Sequence, residues 1–195
     1  MTGQAGAGTM KILFSSVTRL LLFASLASAA ASIDLTEGVF GQPILLTSAG
    51  QSADIHLANV LIKKAGLDFS LVKLATGKDL EGRKTVVLVL GASLKGLGAA
   101  GLDLARERDR VTALLAAARD KKIPIFCLHL GGADRRGQTT DDLVTAFLPL
   151  AKMAVIVKSG NQDGLFTKIC RAKNIPLVEV EKTIDATEQI KKVFK

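Results

Sequence analysis

The run Thr85-Val-Val-Leu-Val-Leu90 constrains this chain more than any other feature. After its threonine it is apolar at every position. A strand with one wet face alternates apolar and polar residues, so a run without alternation belongs to a strand covered on both faces. That is the signature of a central strand in a parallel sheet. Further strand patterns lie at 43–47, 69–74, 123–130, 154–157 and 176–180.

Helical patterns fill the intervals. Ser52 reads as a helix cap with Asp54 in the first turn, and Ile55, Ala58, Leu61, Ile62 and Ala65 then share one face until Gly66 stops the helix. A long helix is expected over 103–122, with Leu104, Val111, Leu115 and Ala118 as its inner stripe and 106–110 mainly on its solvated side. Others are expected over 140–151, 164–174 and 184–194. The stretch 77–82 has room for one helical turn, and 91–101 reads as a glycine-rich loop.

Alternating βα units of this kind predict a three-layer α/β fold with helices on both faces of the sheet. The short gap between the second and third strands predicts flavodoxin-like or Rossmann-like double winding. The sheet should hold about five to six parallel strands in the order 2-1-3-4-5, with a sixth beyond. One domain is expected over 43–195, after a short approach at 32–42.

The first 31 residues read differently. Lys11 and Arg19 precede and interrupt a short apolar run, which ends in Ala27-Ser28-Ala29 and Ala29-Ala30-Ala31. This is the pattern of a signal peptide, with Met10 as an alternative start, and it predicts a periplasmic or secreted protein. No later apolar stretch is long enough to span a membrane, so none is expected after the leader is removed.

The net charge of +8 raises the question of nucleic acid. The cations are dispersed, however, and several sit where helices end, which suits the helix dipole. The chain has no Trp and no Tyr, so it offers no indole or phenol platform for bases or flavins. Neither a nucleic-acid partner nor a cofactor is expected. Gly96-Leu-Gly-Ala-Ala-Gly101 spells a dinucleotide motif, but its first glycine comes five positions after the glycine that ends the strand. The two histidines and scattered acids have no metal-ligand spacing.

Ligands of doubly wound sheets bind beyond the carboxyl ends of the strands. The loops that should meet there are 48–52, 91–101, 131–138 and 159–164. They supply the candidate ligand residues Ser48, Gly50, Ser52, Ser93, Lys95, His129, Arg135, Arg136 and Asn161. Hydroxyls and helix-end amides suit an anion, and guanidinium groups suit carboxylate or phosphate. Ordinary capping by Ser52, solubilising charge at Arg135 and Arg136, a packed His129 and a turn at Asn161 are the plainer alternatives. Cys127 and Cys170 read as buried apolar groups.

Four segments also carry a resemblance. They are Ile44-Leu-Leu-Thr-Ser-Ala-Gly-Gln-Ser-Ala-Asp54, the loop Gly91 to Gly101, Gly131-Gly-Ala-Asp-Arg-Arg-Gly137, and Lys158-Ser-Gly-Asn-Gln-Asp-Gly-Leu-Phe166. Together they resemble a family of exported bacterial proteins known only as a domain of unknown function. That resemblance implies export and a single α/β domain, and lends no catalytic residue. The first expectation for function is non-catalytic binding of a small anionic molecule at the strand-end rim. The second is an envelope protein–protein interaction module. The third is a hydrolase using Ser93 and His129, with Asp134 completing a triad on paper.

Overall fold

In the computed structural model, residues 1–3 and 38–195 are described, and the rest of the expected signal peptide lies outside them. Six strands form one sheet: β1 (Ile44–Ala49), β2 (Phe69–Leu71), β3 (Thr85–Leu90), β4 (Ile125–His129), β5 (Met153–Val157) and β6 (Leu177–Val180). Their order is β2-β1-β3-β4-β5-β6, and every pairing is parallel. The doubly wound α/β fold is therefore observed, with β3 between β1 and β4.

The unbroken apolar run of β3 is explained by what covers it. Val86, Leu88 and Leu90 face one core and Val87 and Val89 the other, and all five are fully buried. The first core is closed by α3 (Leu104–Asp120), α4 (Gln138–Phe147) and α5 (Leu165–Lys173). The second is closed by α1 (Asp54–Lys64) and α6 (Ala186–Val193). Phe40, Phe126 and Phe194 meet in that second core, with ring centroids 5.1–5.8 Å apart. The expected single turn is a 3-10 turn over Gly77–Leu80.

Two expectations need correction. The glycine-rich stretch is not all loop, because it folds into a short helix, α2 (Leu94–Ala99). Ser93 caps it by accepting from the Gly96 amide at 3.0 Å. The glycine at 96 lets the helix lie against the Gln51 carbonyl, a place any Cβ would occupy. Second, β2 stops at Leu71, three residues earlier than its apolar pattern suggests. Lys73 and Leu74 are thereby released to the carboxyl-end rim, and both are exposed.

Candidate functional site

The loop after β1 is held in an unusual conformation. Gly50 and Gln51 have φ of 102° and 54°, which places both in positive-φ space. A side chain at Gly50 would strike the Gly91 carbonyl and the Ala92 Cα, so glycine is required. The loop is tied to the end of β3 by Gly91 N–H donating to Ala49 O and Ser93 N–H donating to Gly50 O, at 3.1 and 2.8 Å.

Beneath this loop lies an ion pair from a stretch, 106–110, whose sequence pattern places it mainly in solvent. Glu107 is fully buried and Arg110 nearly so, at 2.9 Å from each other. Glu107 also accepts from the Gly50 amide and from Gln51 Nε2, at 2.8 and 2.9 Å. Arg110 donates onward to Ala75 O and Ser48 O. Burial alone would raise the Glu107 carboxyl, but the bonds from Arg110, Gly50 and Gln51 outweigh it and hold the group below its ordinary range. Arg106, Arg108 and Asp109 are exposed as expected. The correction applies to one helical face, the one that supports the β1 loop.

Around that loop opens a cavity of about 540 Å³. Ser52 lines it from the loop before α1 and His56 from α1, Lys73 and Leu74 from just past β2, Ser93 from the cap of α2 and Lys95 from α2 itself. It lies in the crevice between β1 and β3, where the winding of the sheet reverses. Among the described residues, neither Lys73 nor Lys95 has an acidic partner. The amides of α1's first turn are already taken: Ser52 Oγ accepts from Asp54, Ser52 O from Ile55 and Ala53 O from His56. Any anion here would be met by the lysines and by Ser93 rather than by the helix end, because Ser52 is almost fully buried.

The remaining candidates do not join this cavity. Ser48 is fully buried and accepts from the Gln51 amide, while Gly50 serves the loop. Arg135 pairs with buried Asp54, Nε to Oδ1 at 3.3 Å, above Gly91 and Gly131, which leave room for both side chains. The second Asp54 oxygen has no protein partner. Arg136 is bound on two sides, by Asp141 and by Asp163, the latter at 2.7 Å, and it donates to Gly160 O. Its guanidinium lies over the Phe166 ring at 5.6 Å. The Arg136 bond, helped by the Leu165 amide, holds the Asp163 carboxyl down at about 2.

The expected arginine clamp is therefore a set of internal ion pairs. Asn161 is likewise occupied, accepting from the Phe166 amide and donating to Thr167 and Glu179. It fastens the start of α5 to β6.

His129 ends β4 and is fully buried. Nδ1 lies 2.9 Å from Leu90 O and Nε2 3.2 Å from Gly132 O, and the ring packs on Phe166. Desolvation lowers its proton affinity against the pull of these carbonyls and of Asp54. Neither ring nitrogen reaches Ser93, whose oxygen caps α2, so the Ser93–His129 pair is not assembled. Asp134 is exposed on a 3-10 turn over Gly132–Arg135.

Among the described residues, no group of three or more His, Cys, Asp or Glu could hold a metal ion, and no helix is long and apolar enough to cross a membrane. Both cysteines are buried, as their surroundings in the sequence suggested, and they are not paired with each other.

Residues 41–194 match the family described as Domain of unknown function (DUF6305). The chain belongs to this family. No curated protein matches it. Among solved structures, a GDSL-like lipase from Bacteroides thetaiotaomicron is similar at 11% identity, over 70% of this chain and 66% of that one, with a TM-score of 0.34. AlinE4, an SGNH-hydrolase family esterase, is similar at 15% identity, over 74% and 78% of the two chains, with a TM-score of 0.30. Likeness at that level carries no argument about chemistry in the DUF6305 domain.

Proposed function

We propose that this DUF6305 domain binds a small anionic molecule in the crevice between the ends of β1 and β3. One observation carries the reading. Lys73 and Lys95, brought from separate segments, line a single cavity with the hydroxyl residues Ser52 and Ser93, and no described acid neutralises either ammonium. Its volume of about 540 Å³ suits a small molecule. A second cavity among the described residues also gathers lysines, Lys191, Lys192 and Lys195, but there an acid, Glu188, lines the wall with them.

The test is a thermal-shift titration of the protein with inorganic phosphate and with acetate. A ligand that binds only the folded state raises the melting temperature as its concentration passes the dissociation constant. The response should vanish in the double variant Lys73→Glu/Lys95→Glu and persist in Arg136→Ala. If neither anion stabilises the wild type, or the lysine variant responds equally, the reading fails. An envelope interaction module then becomes the better account.

Hydrolysis is the second reading, favoured by the meeting of Ser52, Ser93 and His56 in that cavity. Hydroxyl and imidazole are the side-chain types of nucleophile and base. Turnover of p-nitrophenyl acetate that falls to background in Ser52→Ala or Ser93→Ala would place it first. Turnover unchanged in both variants would remove it.

A further inference from the structure

We infer that the anion bound in the β1–β3 crevice carries an aliphatic chain, so that the ligand class is a short alkyl carboxylate or alkyl phosphate. This inference rests on the anion-binding reading and adds the ligand's second half. The cavity's remaining surface is largely apolar, supplied by Ile55, Leu74, Ala99 and Ala100. Leu74 is 39% exposed although it is a large apolar residue. A single exposed leucine means little by itself. This one forms a wall of the cavity that contains both lysines.

Charge and apolar surface come together on two walls. Leu74 directly follows Lys73 along the chain. On α2, Ala99 stands four residues after Lys95, and residues at that spacing share one helix face. Each wall thus pairs a lysine with an apolar residue. A bare phosphate would use the first and leave the second wet. No Phe, Tyr or Trp is among the lining residues, and the only ring there is the small imidazole of His56, so no broad platform is present to stack on a base or a phenyl group. Ala99 and Ala100 add little bulk, which leaves room for a methylene chain along α2.

The experiment is isothermal titration of the folded chain with acetate, butanoate, hexanoate and octanoate, all below their micellar concentrations, with inorganic phosphate and benzoate as comparators. Affinity should rise about two- to fourfold per added methylene through hexanoate, the range expected for partial to full burial of each group. Benzoate should bind no better than butanoate. Leu74→Ser should flatten the chain-length series, so that octanoate loses far more affinity than acetate does.

Acetate and phosphate binding without any chain-length gain would overturn this inference and leave the anion reading standing. No binding by any probe would overturn both. Octanoate binding that survives Lys73→Glu/Lys95→Glu would show apolar adhesion without a head-group site, against the inference. Binding to phosphatidylglycerol vesicles without binding to monomeric octanoate would also overturn it, because the membrane surface would then be the partner.

Discussion

Two stretches of the same sheet edge treat their charges in opposite ways. Beyond β4 and β5, Arg135, Arg136, Asn161 and His129 are each engaged by partners within the fold. Beyond β1, β2 and β3, Lys73 and Lys95 line a cavity and have no described acidic partner. Both stretches are glycine-rich and basic in sequence. The difference lies in which residues the fold brings next to the cations. Position at the carboxyl ends of the strands is therefore insufficient to define a ligand site. A cation acts on a ligand only where the protein has not already neutralised it.

The comparison breaks most visibly at its support. Glu107→Ala should cost about 3–5 kcal/mol in denaturant unfolding, because it leaves Arg110 buried without its counter-ion and the Gly50 amide without an acceptor. A loss under about 1 kcal/mol, typical of an exposed pair, would show that this network is not buried in solution.

Arg136→Ala should cost less, about 1–3 kcal/mol, since it removes bonds to Asp141, Asp163 and Gly160 from a partly open loop. Melting should fall while phosphate binding is unchanged. Lost binding with unchanged melting would reverse the assignment of the two stretches.

A smaller effect follows from pH. The Asp163 carboxyl titrates at about 2 in the folded chain, below the ordinary carboxylate value of about 3.9. Its contribution is fully present above that ordinary value and is lost as pH falls toward 2. Because Asp163 is largely exposed, the contribution should stay below about 1 kcal/mol. Comparing acid unfolding of the wild type with Arg136→Ala over that interval measures it, and identical pH dependence would contradict the pairing.

No reaction at all is expected from the thiols under native conditions. Burial pushes Cys170 up to about 11 and Cys127 higher still. Rapid modification by a thiol reagent in the folded protein would show that α5 opens readily.

Much of the fold was legible because it rests on local pattern. The apolar run at Thr85–Leu90 and the 3.6-residue stripe of α1 specify burial wherever their neighbours come from. The site was less legible, because neutralisation depends on distant neighbours. Asp54 lies 81 positions from Arg135, and Asp163 lies 27 from Arg136. Glu107 and Arg110 have a visible i,i+3 spacing, yet their burial depends on Ser48 and Ala75, which belong to other segments. α2 was hidden by two glycines that lower helix propensity, one of which is required by the approach to Gln51. Lys73 was hidden inside an apolar strand pattern. Its charge in the run Phe69-Ser-Leu-Val-Lys-Leu74 was the signal that the strand ends earlier.

The most direct measurement is an amide map of anion binding. Nitrogen-15-labelled protein titrated with inorganic phosphate should show its largest shifts at Gln51, Ser52 and Ala53 and at Ser93, Lys95 and Gly96, which line the β1–β3 crevice. The amides of 131–137 and 160–166 should remain still, because the cations of the first segment are already held by Asp54, Asp141 and Asp163 and the second segment has none. Shifts concentrated at 131–137, or none anywhere at saturating phosphate, would contradict the division between an open and a closed rim.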